Sequence, residues 1–300
     1  MRRGVKQVVL PLLTAFIWGS AFVAQSLSAG HIGAFTFNAS RALVGFFALL
    51  AVLLLRRRLL SLSGAGKKQA GPLVTKELLT GGLCCGFFLA VATVLQQAGI
   101  PYTGAGKAGF ITALYVVLVP LAGLFFRRRP ALSVWISVLI GVAGLYFLCI
   151  RSGERFSLGR GELYVLLCAF AFTAQILCVD HFVKKTDPIA LSCAQFLVVF
   201  LLCTIGALVS ETIIPSELLA CLPYILYVGI FSSGIAYTLQ ILAQKDGDPV
   251  IVSLLLSLEA FFAVVLGALI LHEKLTSREI IGCVLMMAAV VLSQLKFSEK

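Results

Sequence analysis

The chain has 300 residues, of which 60% are apolar and 12% charged, with a mean hydropathy of +1.04 and a net charge of +11. No soluble domain has enough interior to hide that much apolar surface, so a lipid bilayer is the solvent for most of the chain. The positive charge fits attraction to anionic lipid and does not call for a nucleic acid partner.

A crossing helix needs about 20 mostly apolar residues, and ten such runs follow one another: 7–27, 33–55, 77–97, 107–126, 132–150, 162–180, 188–210, 218–240, 249–271 and 277–295. Almost nothing is left for a soluble domain, and the longest polar stretch, RRRLLSLSGAGKKQAGPLVTKE, is a basic loop. The expected fold class is all-α integral membrane, with ten transmembrane helices.

The first run follows Arg2 and Arg3, and Val8–Trp18 alone has the look of a signal peptide. It continues to about Leu27 without a small-x-small cleavage site, and it has a partner later in the chain, so it is read as the first span. Between the third and fourth runs, YTGAGKAGF places Gly104, Gly106 and Gly109 as G-x-G-x-x-G. That spelling binds a dinucleotide where it joins a strand to a helix. Between two membrane helices it reads as a tight loop opening the fourth helix, with Lys107 near its start and no cofactor expected. An ATP loop is missing too: Ala108 follows Gly106-Lys107, and Pro101 stands where a glycine is required. Energy therefore comes from a gradient or from another chain. Pro120 and Pro249 are expected to bend helices four and nine.

Towards the end, Thr276 and Glu279 have capping-box spacing at the start of helix ten, and Glu273 reads as a loop-end charge. Gly82-x-x-x-Gly86, Gly229-x-x-x-Ser233 and Ala263-x-x-x-Gly267 are small-residue ridges that admit close helix approach. The nine cysteines fall in or beside apolar runs without C-x-x-C pairs and read as small apolar packers. His31, His181 and His272 fall in three separate loops, so no metal site is expected.

With the N-terminus inside, seventeen Lys and Arg lie on the cytoplasmic side against six outside, leaving Arg41 within a span. This bias sets both termini in the cytoplasm. The chain also repeats itself. A shift of 154 lays LTAFIW (13–18) on LCAFAF (167–172) and Arg41 on Gln195; after the basic loop a shift of 144 lays Leu95-Gln96 on Leu239-Gln240 and Leu114 on Leu258. Two homologous halves, 1–152 and 153–300, each carry five helices. Five is odd, so the second half enters the membrane inverted, a plan of transporters whose site lies near the midplane between the halves.

Trp18-Gly19-Ser20, Arg41 and LEAFFAVVLGALILHEKLTSREIIG (258–282) together resemble the drug/metabolite transporter superfamily, EamA type. The resemblance covers nearly the whole chain and implies export or uptake of small metabolites across a bacterial cytoplasmic membrane. Ala260 departs from it, since the family usually has proline after the glutamate. Arg129, by the 144 shift the counterpart of Glu273, is a second departure.

A charge within a span costs roughly 2.5–3.5 kcal/mol at the centre, which singles out Arg41 and Glu259. Arg41 reads as a fork for a substrate carboxylate and Glu259 as a proton or cation carrier. Alternatively the two pair with each other or with hydroxyls and backbone. Trp18, Tyr115, Gln195, Tyr237 and Ser257 are candidates to line the substrate cavity, Tyr115 falling opposite Glu259 and Gln195 opposite Arg41 under the shifts; ordinary interhelical packing is the alternative for each. The leading function is a secondary transporter of small metabolites such as amino acids, working by alternating access towards export, with proton coupling through Glu259 left open. A passive channel or lipid scramblase is the alternative. An integral-membrane enzyme is disfavoured, because no cluster of ionisable groups marks one membrane face. The partners expected are a small-molecule substrate and the lipid bilayer, the protein being a monomer or a homodimer.

Overall fold

The computed structural model describes residues 3–62, 74–103, 105–125, 130–150, 159–271 and 276–294. Most of the basic loop, Gly104, Arg127–Arg129, and the His272 and Glu273 stretch lie outside them. The helices are α1 (Arg3–Ser28), α2 (Ala34–Leu62), α3 (Lys76–Thr103), α4 (Ala105–Thr112), α5 (Tyr115–Phe125), α6 (Leu132–Cys149), α7 (Arg160–Phe182), α8 (Pro188–Ser210), α9 (Pro215–Ala220), α10 (Leu222–Tyr227), α11 (Tyr237–Asp246), α12 (Pro249–Leu256), α13 (Glu259–Leu271) and α14 (Ser277–Gln294). A π-helix, Val228–Ala236, joins α10 to α11.

Among the described residues, each of the ten apolar runs is largely helical. Among the described residues, eight stretches are long and apolar enough to cross a membrane: Lys6–Ser28, Ala34–Leu59, Lys76–Thr103, Ala108–Phe125, Arg160–Phe182, Pro188–Ser210, Leu222–Asp246 and Pro249–Leu266. The fifth run gives a shorter apolar helix, Leu132–Leu148, and the tenth gives α14, whose first turn carries Arg278 and Glu279. The helices are apolar on every side, and large apolar residues occur on both: Leu55, Leu83, Leu139, Ile205 and Val284 are exposed, while Phe37, Leu89, Phe196 and Leu254 are fully buried. Small residues such as Ala15, Ala21, Ala42, Ala92, Cys168 and Ala169 are buried with them, where they admit close helix approach.

The packing respects the repeat. α2 lies along α8, and α6 along α14, each on its own counterpart. α3 packs on α7 and α8, and the counterpart of α3, the segment from α10 to α11, packs on α1 and α2. α12 and α13 lie on α1, just as α4 and α5 lie on α7. The ridge Gly82-x-x-x-Gly86 receives α8: a Cβ on Gly82 lies 2.7 Å from the Ala194 Cβ, and one on Gly86 lies 2.7 Å from the Gln195 carbonyl oxygen.

Two contacts fasten the ends of the α2–α8 pair and show that it is antiparallel. Where α8 begins, Asp187 is the N-cap; its Oδ1 accepts from the Ile189 and Ala190 N–H groups at 3.1 Å, and its Oδ2 pairs with Arg56 Nη1 at 2.8 Å. Where α8 ends, Glu211 reaches the start of α2, accepting from Phe35 N and Thr36 N at 2.8 Å and from Thr36 Oγ1 at 2.7 Å. The 154 shift lays Gly33 on Asp187 and Arg57 on Glu211. One half therefore supplies a carboxylate cap and receives an arginine, and the other leaves a bare glycine and receives a carboxylate. Removing the charge in Glu211→Gln is expected to cost about 1–2 kcal/mol, since the donors and helix dipole at the start of α2 lose their anion. The check is a lower thermal midpoint in detergent.

The interruptions in helices four and nine are not at the prolines. Pro249 is the first residue of α12, behind the Asp248 cap, and Pro120 lies inside α5. The chain breaks instead at Ala113–Leu114 and at Ser257–Leu258, which are equivalent under the 144 shift. Leu114 N donates to Ile111 O at 3.2 Å and Leu258 N to Leu255 O at 3.3 Å; Val116 N donates to Ala113 O at 3.0 Å and Ala260 N to Ser257 O at 3.3 Å. Both breaks are thus the same tight i→i−3 turn, a form that marks hinges within longer helices. In the ninth segment the Ser257 hydroxyl takes the Leu254 carbonyl at 2.8 Å, the back-bonding that bends helices. The break forms although Ala260 replaces the family's proline.

The glycine-rich stretch joins two helices. α3 runs to Thr103, α4 opens at Ala105, and Gly106 and Gly109 lie inside α4. The capping box at α14 forms: Thr276 N donates to Glu279 Oε2 at 2.7 Å, and Glu279 N to Thr276 Oγ1 at 3.3 Å.

Candidate functional site

The two broken helices present their first residues after the break, Tyr115 and Glu259, to one cavity of about 30 Å³ between the halves. Tyr115 OH donates to Glu259 Oε1 at 3.4 Å. Glu259 opens α13 and is only 4% exposed, so its carboxylate sits at the positive end of a half-helix. α1 brings Trp18, Phe22 and Gln25 along one face, at the i, i+4, i+7 spacing of a single helix side. α2 brings Arg41, α11 brings Tyr237, and the π-helix brings Ser232. Gln96, Thr112 and Phe172 complete the wall.

Arg41 is 3% exposed. Its Nη1 donates to Gln25 Oε1 over 3.5 Å, and its Nε has no partner. Tyr237 lies beside it, its ring tilted against Trp18 with centroids 4.7 Å apart; the Trp18 indole N–H is also unpartnered. Among the described residues the ion pairs are Arg56–Asp187 and Lys184–Asp180, neither of them in the cavity. Arg41 and Glu259 therefore do not neutralise each other. One buried cavity holds a guanidinium and a carboxyl group that do not pair with each other, walled by aromatic rings and neutral hydrogen-bonding groups.

Of the residues singled out from the sequence, Trp18, Arg41, Tyr115, Tyr237 and Glu259 meet here. Gln195 and Ser257 do not. Gln195 accepts from Gln175 Nε2 at 3.4 Å, away from the cavity wall, because antiparallel packing puts α2 and α8 counterparts at opposite depths. Ser257 turns its hydroxyl back to its own helix. Sequence reasoning missed Gln25, Thr112 and Ser232. Helical spacing from Trp18 was a usable signal for Gln25, whereas a π-helix leaves no comparable trace for Ser232.

Packing fixes the site's position. A Cβ built on Gly19 lies 2.7 Å from the Glu259 carbonyl oxygen and 2.8 Å from Ala263 N, so α1 and the start of α13 touch backbone to backbone. Ser20 Oγ and Tyr227 OH share a 2.6 Å hydrogen bond on the neighbouring side. Trp18-Gly19-Ser20 is thus one turn that faces the cavity, abuts the break and joins α10.

An uncharacterized transporter of Archaeoglobus fulgidus is 29% identical over 98% of this chain and 88% of its own length. YwfM of Bacillus subtilis, an uncharacterized transporter, is 26% identical over 94% of this chain and 91% of its own. The threonine/homoserine exporter RhtA of Escherichia coli K12 is 27% identical over 94% and 88%. A solved crystal structure superposes with a TM-score of 0.77 over 96% of both chains at 18% identity, a likeness of fold. The EamA-like transporter family model matches residues 5–150 and again 159–295. Two such repeats span the molecule, and the chain belongs to the EamA-like transporter family.

Proposed function

We propose that this protein is a secondary transporter that exports small metabolites, amino acids or related zwitterions among them, across the bacterial cytoplasmic membrane by alternating access. The observation that carries this reading is that the Arg41 guanidinium and the Glu259 carboxyl share one buried cavity without pairing with each other. An α-amino acid brings a carboxylate for the Arg41 fork and an ammonium for Glu259, so the ligand supplies a partner to each. A passive channel gains nothing from burying the two groups unpaired. The threonine/homoserine exporter among the relatives supports the same substrate class.

In this reading ten helices cross the membrane as two inverted five-helix repeats, 1–152 and 153–300, with both termini cytoplasmic. Trp18, Tyr115 and Tyr237 shape the cavity around the substrate. Glu259 binds either a proton or the substrate's ammonium, and that competition couples proton entry to substrate exit.

The test is efflux from proteoliposomes loaded with labelled amino acids, nucleosides and small organic cations, with and without a pH gradient, comparing the parent with Glu259→Gln. Saturable efflux of zwitterions that follows the gradient is expected, with the gradient response lost in Glu259→Gln. Saturable but gradient-insensitive efflux by the parent would remove the coupling, and no saturable flux from folded protein would overturn transport of this class.

A further inference from the structure

Four glutamines occupy the interior away from the central cavity. Gln175 on α7 donates to Gln195 Oε1 on α8 at 3.4 Å, and Gln240 on α11 donates to Gln175 Oε1 at 3.2 Å. Gln244, one turn further along α11, donates to Ile176 O at 3.0 Å. Gln195 Nε2, Gln240 Oε1 and Gln244 Oε1 have no partner, although these side chains are at most 1% exposed. An unsatisfied buried amide atom costs roughly 1–3 kcal/mol, and a membrane interior holds no water to relieve it. Leucine fills such positions without that cost.

The repeat explains the placement. Gln195 stands where the first half has Arg41, and Gln240 where it has Gln96. Each is the eighth residue of its helix, in the case of Arg41 and Gln195, and those helices are antiparallel. At 1.5 Å per residue, Arg41 and Gln195 lie about 10 Å from opposite ends of the pair and roughly 12 Å apart along it. Tyr237 bridges the levels: its ring lies 4.7 Å from Trp18 in the cavity and 5.4 Å from Phe196, the neighbour of Gln195. Beyond it, Gln240 and Gln244 descend α11 towards the end where Asp187 caps α8.

We propose that Gln175, Gln195, Gln240 and Gln244 line a passage, closed in this structure, that fills with water when it opens to join the central cavity to the membrane face where α8 begins, carrying the polar groups of the transported molecule. Primary amides donate and accept without charge, so they substitute for hydration and do not trap a zwitterion as the charged pair does. The assignment of cargo rests on the transport reading above; the passage itself is testable without a substrate.

The probe is a water-soluble cationic methanethiosulfonate, applied to either face of membranes containing Gln240→Cys or Gln244→Cys, with the modified cysteine identified by peptide mapping. Lipid-facing Leu201→Cys is the dry reference. Both introduced thiols are expected to react at least tenfold faster than the reference, and from one face only, the cytoplasmic one in the proposed orientation. Adding Gln175→Leu is expected to dry the passage and slow labelling at position 244 about tenfold, with the thermal midpoint unchanged or raised. Folded variants whose thiols react no faster than the reference, or equally from both faces, would overturn the passage, as would labelling indifferent to Gln175→Leu. If the thiols label as expected but the efflux panel shows no flux, the transport reading fails and the passage stands.

Discussion

Arg41→Met is expected to abolish saturable transport while leaving the thermal midpoint unchanged or raising it. Arg41 is buried, its Nε is unpartnered, and its hydrogen bond to Gln25 is long. Holding a guanidinium this way is unfavourable for the empty protein, and replacing buried charged groups by apolar ones of similar volume is often neutral or stabilising. In the proposed function the same group binds a substrate carboxylate through charge-assisted hydrogen bonds, which are worth roughly 1.5–3 kcal/mol, or about 10- to 150-fold in affinity. Arg41→Lys keeps the charge but not the planar fork and is expected to lose at least tenfold in affinity. Efflux rates against substrate concentration, with melting curves on the same preparations, read both quantities. A midpoint that falls along with activity would make Arg41 a structural residue.

Gly19→Ala is expected to cost about 1–3 kcal/mol and to disturb transport through Glu259. The added methyl would meet the Glu259 carbonyl oxygen and the Phe262 Cβ at 2.7 Å and Ala263 N at 2.8 Å. Two of these are backbone atoms that cannot rotate away, so α13 must move off α1 and carry its first residue out of the cavity. The control is Gly109→Ala in α4, where nothing lies within 4 Å of the new methyl; there a helix gains about 0.5–1 kcal/mol from losing a glycine. Thermal midpoints should shift in opposite directions. Equal shifts would mean that helix propensity, and not contact with the break, sets the effect at Gly19.

Much of the fold was legible because the bilayer allows few solutions: an apolar run of the right length becomes a helix, and a repeat of five such runs dictates a packing of equivalents. Arg41 and Glu259 were legible as charges with no cheap reason to be where they are. Tyr115 followed from its register opposite Glu259. The same register misled at Gln195, because Tyr115 and Glu259 lie at the common break whereas α2 and α8 run antiparallel and send their eighth residues to different depths. The breaks were misplaced because proline is the local signal for a bend, whereas the ninth segment breaks at a serine whose hydroxyl bonds back to its own helix and the fourth at Ala113–Leu114. The Glu211 contact with α2 was hidden for a similar reason: 175 residues separate Glu211 from Thr36.

The turn at Ser257–Leu258 contains neither proline nor glycine. The Leu254 carbonyl that an unbroken helix would offer to the Leu258 N–H accepts from the Ser257 hydroxyl instead, and the Glu259 carbonyl stands where α1 presents Gly19 with no side chain between the two backbones. The direction of the Glu259 carboxyl is therefore held by two constraints far apart in sequence, one hydroxyl inside the ninth segment and one glycine in the first.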